Sequence, residues 1–82
     1  MKESVLRTKS KEFAKDIIFL CRKMKNYQVE HALVNQLLRS GTSVGANIHE
    51  AQYAQGTKDF VSKLEISLKE VFETEYWLEL LL

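Results

Sequence analysis

The scarcity of turn-forming residues is the feature that most constrains the fold of this chain. Its 82 residues include 3 glycines and no proline. A fold of many short strands needs more turn residues than that, so the sequence favours a few long helices. Hydrophobic residues make up 45% of the chain and charged residues 28%, which is typical of a folded domain. We therefore predict a single all-α domain over residues 1–82, because so short a chain holds one core only.

Apolar residues recur at steps of three and four and predict three helices. Ser10 is the predicted N-cap of the first helix. The apolar register of the second helix passes unbroken through Gly41 and Gly45. Each internal glycine costs about 1 kcal/mol relative to alanine, so we expect close packing at both positions. The predicted helices span approximately residues 10–25, 28–55 and 58–81.

The charge of the chain is small in total but unevenly distributed. The net charge is +1. Residues 1–25 contain eight Lys or Arg and three acids, a balance of +5. Residues 26–82 contain four Lys or Arg and eight acids, a balance of −4. A basic first helix and an acidic last helix are therefore the main electrostatic features.

A stripe of basic residues on the first predicted helix is a candidate nucleic-acid-binding surface. Phosphate backbones attract Lys and Arg regardless of base sequence. The alternatives, favoured for a lone chain, are a solvated face or ion pairs with third-helix acids such as Glu65, Glu73 and Glu79. A ring of subunits would repeat the stripe and make binding multivalent. The stripe consists of Lys11, Lys15, Arg22 and Lys25.

Gly41 and Gly45 are four residues apart, on a side of the second helix turned away from its apolar stripe. Small residues at this spacing let two helix backbones approach closely. The partner is either another helix of the same chain or a second subunit, and we favour the subunit because two other helices cannot cover every face. Asn47 is expected to fix the register of neighbouring helices by a hydrogen bond. The candidate packing and interface residues are Leu38, Gly41, Thr42, Gly45, Asn47, His49, Tyr53 and Trp77.

Residue patterns typical of enzymes and metal sites are not found. His49-Glu50 begins the zinc-protease pattern His-Glu-x-x-His, but Tyr53 occupies the second histidine position. Cys21 lies on an apolar stripe, which favours a buried, inert thiol over a nucleophile. We expect no catalytic residue, metal, cofactor or small-molecule substrate. A lone cysteine, no apolar signal region and no run of ~18 apolar residues predict a cytoplasmic protein outside the membrane.

Two stretches of the sequence resemble the signatures of a known family. Residues 38–51 read LRSGTSVGANIHEA, and residues 59–78 read DFVSKLEISLKEVFETEYWL. They resemble the two signatures of the four-helix-bundle proteins encoded in 23S rRNA intervening sequences. The resemblance covers the chain from about Phe13 onward. It also extends to the accessory variability protein of diversity-generating retroelements, which partners a reverse transcriptase and nucleic acid.

The resemblance implies an antiparallel up-and-down bundle that assembles as a ring, typically a homopentamer, without enzymatic activity. Family members usually continue into a fourth helix, whereas the third predicted helix here runs to the end at Leu82. We therefore expect three helices here and an apolar end that either a missing helix or another chain would cover. Our first hypothesis is an oligomeric scaffold that binds nucleic acid, RNA in particular. The second is a protein-interaction module without nucleic-acid binding. Positions that the resemblance assigns to packing are Gly41, Gly45, Asn47, Asp59, Phe60, Glu73 and Trp77.

Overall fold

The computed structural model describes residues 4–82 and contains three helices, α1 (Val5–Asn26), α2 (His31–Ala51) and α3 (Thr57–Leu81). All regular secondary structure in this range is helical, which confirms the predicted all-α class. α1 and α3 both pack on α2. Within the described range, no Cα atom of α1 lies within 8 Å of a Cα atom of α3. α2 is therefore the central helix of an up-and-down arrangement.

The first helix begins earlier than predicted, at Val5 instead of near residue 10. Its N-cap is Ser4, whose Oγ accepts a hydrogen bond from the backbone N of Arg7 at 3.0 Å. Ser10, the predicted cap, lies buried inside α1 and donates its hydroxyl to the carbonyl of Arg7 at 3.0 Å. The helix ends at Asn26, and the turn that follows contains Gln28 with a φ of 59°.

The second helix is shorter than the predicted range of about 28–55. It begins at His31 and ends at Ala51, and it continues without a break through both glycines. The connection to α3 spans residues 52–56, and Gly56 is the N-cap of α3. Thr57 is the first residue of that helix.

The largest buried cluster lies where α1 ends, α2 begins and α3 ends. Val34 and Leu37 are completely buried there. Trp77, Leu78 and Leu81 of α3 are partly buried against this cluster. We refer to this end of the molecule as the closed end. The buried cluster consists of Ile17, Cys21, Met24, Val34 and Leu37.

Glycines bring α1 and α2 together. Gly41 is buried, and a Cβ added there would lie 2.8 Å from Cγ2 of Ile17. A Cβ added at Gly45 would lie 3.3 Å from the carbonyl oxygen of Ser10. Both glycines therefore face α1 of the same chain. The expectation that they face away from the core toward a subunit is corrected, because the atoms nearest to an added Cβ at both positions belong to α1.

Hydroxyl groups connect α2 and α3. Ser67 donates to the carbonyl of Val44 at 2.8 Å, and Thr74 Oγ1 lies 2.9 Å from Ser40 Oγ. Ser67 and Thr74 are the buried residues of α3, so the centre of this interface is polar. Every one of these groups is hydrogen-bonded, which removes most of the cost of burying it.

Asn47 does not connect two helices, contrary to expectation. Its Nδ2 donates to the carbonyl and hydroxyl oxygens of Ser43 at 2.9 and 3.1 Å, one turn earlier on α2. The amide satisfies its hydrogen bonds locally, as short polar side chains do in helices. Ser40 and Thr74 instead provide the hydrogen-bonded link between helices.

Candidate functional site

The basic stripe predicted from the sequence lies along one side of α1. Lys11, Lys15 and Arg22 are exposed, and Lys25 is half-buried. Within residues 4–82, none of the four forms an ion pair with an acid. The alternative of pairing with third-helix acids is therefore not observed.

The acids of α3 pair with α2 instead. Arg39 forms ion pairs with Glu70, at 3.2 Å, and with Glu73. Lys63 of α3 pairs with Glu50 of α2 at 3.1 Å. These pairs lie at the exposed edge of the α2–α3 interface, where such contacts contribute about 1 kcal/mol at most. They leave the basic stripe of α1 accessible to other anions.

Two shallow crevices run between α1 and α2 on the side of the basic stripe. One, of about 210 Å³, lies between Lys11 and His49, and the other, of about 520 Å³, lies between Arg22 and Leu38. Thr42 borders both, so the crevices form one continuous surface. The structure thus brings the basic stripe together with part of the predicted interface set, namely Leu38, Thr42, Gly45 and His49.

Two members of the predicted interface set, Tyr53 and Trp77, do not border the crevices. Tyr53 is exposed beyond the end of α2, and its ring packs edge-on against His49 with centroids 5.4 Å apart. Trp77 lies on α3, half-buried against the closed end, with its Nε1 buried and without a hydrogen-bond partner in the described range. Trp77 therefore belongs to the packing of α3 and not to the crevice surface.

Arg7 is a member of the basic surface that the sequence reasoning missed. It borders the first crevice together with Lys11, and its Nε is buried without a hydrogen-bond partner in residues 4–82. The prediction omitted it because it precedes the predicted start of the first helix. Its position four residues before Lys11 and the Ser4 cap would have placed it on the same stripe.

The thiol of Cys21 is structural. It is buried and lies 3.7 Å from the carbonyl oxygen of Val34, to which it donates. Burial raises the pKa of the Cys21 thiol, and the nearby charge of Lys25 offsets this in part. Because the thiolate is the reactive form, a raised pKa disfavours nucleophilic chemistry.

An apolar groove, here called the α1–α3 groove, opens on a different side of the molecule. Its volume is about 450 Å³. Leu6 and Phe13 of α1 form one wall, and α2 forms the floor. The wall from α3 contains Leu68, whose apolar side chain is exposed. Its lining includes Leu6, Phe13, Val44, Ile48, Leu64, Leu68 and Val71.

Within residues 4–82, no three His, Cys, Asp or Glu side chains are grouped so as to hold a metal ion. None of the three helices is both long enough and apolar enough to cross a membrane.

The architecture defines the class of the chain: an all-α, up-and-down helical bundle built around a central α2. The chain belongs to the 23S rRNA-intervening sequence protein family, whose sequence pattern matches residues 2–82. A similar crystal structure is that of a protein of unknown function from the S23 ribosomal protein family of Bacteroides thetaiotaomicron VPI-5482. The two chains are 56% identical with a TM-score of 0.91, over 94% of this chain and 71% of the other. No curated protein matches the sequence.

Proposed function

We propose that this chain is a non-enzymatic helical scaffold that binds RNA through the basic face of α1. The observation that supports it best is that Lys11, Lys15, Arg22 and Lys25 lie on one side of one helix without ion-pair partners in residues 4–82. Unpaired cations need no rearrangement before they contact phosphate.

The shape of the surface favours a phosphate backbone over a compact ligand. α1 has 22 residues, which at ~1.5 Å per residue spans several nucleotides of a strand. The adjoining crevices are shallow and run along the helix, whereas small-molecule sites are enclosed. Neutralising phosphates releases counterions, so affinity would depend strongly on salt and little on base sequence.

Assembly is part of the proposal. Several copies in one homo-oligomer would present the basic face repeatedly, so weak contacts with a single α1 would add up on one strand. The resemblance described above suggests a pentamer as the starting expectation.

A double charge reversal tests RNA binding. In Lys15→Glu/Arg22→Glu, we expect at least about a tenfold loss of affinity for a fluorescently labelled single-stranded RNA at low salt, because two phosphate contacts become repulsive. Fluorescence anisotropy against salt concentration measures this. Four phosphate contacts predict a slope of about −3 for the logarithm of the affinity against the logarithm of the salt concentration in the unmodified chain. Removing two contacts should roughly halve this slope.

Lys58→Glu/Lys69→Glu is the matched control. Both lysines are exposed on α3, and the pair changes the net charge by the same amount. The RNA affinity of this variant should stay close to that of the unmodified chain. Equal losses in both double variants would show a nonspecific effect of net charge, and a salt-independent or absent affinity would refute the proposal.

A protein-interaction module is the second candidate function. The observation that favours it is the exposure of large apolar side chains on the side of α3 away from the groove, including Ile66, Tyr76 and Leu80. Exposed apolar patches on a small protein are typical of interaction surfaces. If RNA binding is absent, this surface carries the function.

A further inference from the structure

The crevice between Lys11 and His49 holds an arginine nitrogen that lacks a hydrogen-bond partner. Arg7 and Lys11 of α1 border this crevice, and Nε of Arg7 is buried and unpartnered within the described part of the chain. A buried N–H group is costly to leave unpaired, so the guanidinium group favours an anion that enters the crevice. The small residues Gly45 and Ala46 border the α2 side. The volume of about 210 Å³ leaves room for a phosphate group.

An exposed pair of aromatic rings adjoins the crevice on its α2 side. His49 borders the crevice, and Tyr53 packs edge-on against His49, with ring planes at 62°. Tyr53 is 71% exposed, so most of its ring is accessible. Its backbone N donates to the carbonyl of Glu50 at 3.0 Å, which holds its backbone in the turn after α2. A ring that is accessible and already positioned can stack on a nucleobase at little cost in entropy.

The surface on the other side of Tyr53 contains two carboxylates. Glu50 and Asp59 lie there with Lys63 and Gln55. Glu50 pairs with Lys63 at 3.1 Å, and Asp59 accepts a hydrogen bond from the backbone N of Gln55 at 3.3 Å. These carboxylates repel a phosphate group but not an uncharged base. A nucleotide at this place is therefore oriented with its phosphate toward the basic crevice and its base on the Tyr53 ring.

We infer that His49 and Tyr53 bind the base of an unpaired nucleotide whose phosphate occupies the crevice beside Arg7 and Lys11. This base site rests on the RNA binding proposed above and specifies single-stranded RNA as the ligand. In a duplex the bases stack on one another, so their faces are not open to aromatic side chains. A single strand offers phosphates and base faces together, which cations and aromatic rings bind without regard to base sequence.

Removal of the Tyr53 ring tests the base site. In Tyr53→Leu, we expect the dissociation constant for a fluorescently labelled oligouridylate to rise at least about fivefold, because one base loses its stacking partner. The salt dependence of the affinity should not change, since no phosphate contact is lost. Tyr53→Phe keeps the ring and should bind nearly as tightly as the unmodified chain. A labelled RNA duplex of the same length should bind Tyr53→Leu and the unmodified chain equally.

Tyr76→Leu is the matched control. Tyr76 is exposed on α3 and contacts Trp77 edge-on with ring centroids 5.2 Å apart, an arrangement similar to that of His49 and Tyr53. Tyr76 does not border the crevice, so its replacement should leave the RNA affinity unchanged. Circular dichroism verifies that both leucine variants remain helical.

Lys11→Gln tests the phosphate half of the site. One phosphate contact is lost, so the magnitude of the slope of log affinity against log salt concentration should fall by about 0.7. This result would contrast with Tyr53→Leu, which should lower the affinity at every salt concentration by the same factor. An unchanged slope in Lys11→Gln would overturn the placement of the phosphate in the crevice.

Photo-crosslinking locates the base directly. With 4-thiouridine in the oligonucleotide, mass spectrometry of the irradiated complex should find crosslinked peptides that contain His49 or Tyr53. Crosslinks confined to other parts of the chain would overturn the base site.

Failure of the base site is distinguishable from failure of RNA binding as such. Single-stranded RNA that binds Tyr53→Leu as tightly as the unmodified chain would overturn the base site and leave the basic face of α1 as the binding surface. Equal losses for Tyr53→Leu and Tyr76→Leu, or for single strand and duplex, would do the same. An absent or salt-independent RNA affinity of the unmodified chain would refute the proposed function and the base site with it.

Discussion

Gly41 lies where the backbone of α2 comes closest to α1. Its missing side chain leaves room for Ile17, whose Cγ2, Cγ1 and Cβ would all lie within 3.2 Å of an added Cβ. These atoms are near the backbone of a β-branched residue, which has little freedom to move away. The glycine therefore sets the distance between the two helices.

Gly41→Ala should lower stability, although alanine is the better helix former. Overpacking costs about 1–3 kcal/mol, which exceeds the ~1 kcal/mol that the helix gains from alanine. We expect a net loss of about 1 kcal/mol in the free energy of unfolding, measured by urea denaturation.

Ala46→Gly is the control for this prediction. Ala46 is exposed on the same helix, so the substitution changes helix propensity without creating an overlap. It should cost about 1 kcal/mol, which would confirm that the propensity difference operates in α2. An increase in the urea midpoint of Gly41→Ala would contradict the proposed close approach.

At the residue scale, the sequence predicted that Gly41 and Gly45 pack closely but not which surface they contact. Helical spacing gives the direction of a residue relative to its own helix, but not where neighbouring helices lie. The apolar stripe of α2 faces both neighbours, so the glycines, which lie at its edge, were placed outside the core. The same limitation explains why Asn47 was expected to link two helices, whereas Ser40 is the residue of α2 that does so.

At the scale of whole helices, the interface between α2 and α3 depends on buried hydroxyl groups. Ser40 and Thr74 are almost completely buried, and they bond to each other and to backbone carbonyls of Leu37 and Glu70. Such a pair favours one register of the two helices, because a shift of one turn would break the bond between Ser40 and Thr74 while both hydroxyls kept only the bonds within their own helices.

A double-mutant cycle tests this pair. Thr74→Val removes the hydroxyl but keeps the shape, so Ser40 loses its partner on α3. We expect a loss of about 1–3 kcal/mol for Thr74→Val, whereas Ser40→Ala/Thr74→Val together should cost less than the sum of the single changes. Urea denaturation of the four proteins gives the coupling free energy. Strict additivity would show that the hydroxyls act independently.

The number and type of the helices were predictable because apolar periodicity over 20 or so residues is a strong signal. The ends were less predictable. Ser4 and Ser10 are both suitable caps by residue type, so residue type alone does not distinguish between them. The polar α2–α3 interface was also unpredictable, because Ser67 and Thr74 look like interruptions of an apolar face.

At the scale of the whole molecule, the most completely buried apolar side chains lie at the closed end. Val34 and Leu37 are fully covered there, whereas residues 57–66 at the start of α3 include no buried side chain. Local opening requires less free energy where fewer apolar groups are covered. The stability of the chain should therefore vary along its length.

Hydrogen exchange measured by NMR tests this gradient. We expect the slowest amide exchange in α2 near Leu37 and exchange at least about tenfold faster in the first turns of α3, at sites such as Leu64. Measurement at a concentration where the chain is monomeric separates this effect from protection by a partner. Uniform protection along α2 and α3 would contradict the gradient.

The separation of α1 from α3 has a consequence for how the chain folds. The molecule is a series of two helical hairpins that share α2, and their connections span only residues 27–30 and 52–56. Closing such short loops costs little entropy, and the backbone makes few contacts between distant parts of the sequence. Folding should therefore be fast, within microseconds to milliseconds, and either hairpin can form first. A sequence change at the glycine interface then need not be matched by one at the hydroxyl interface, so the two interfaces are free to diverge independently.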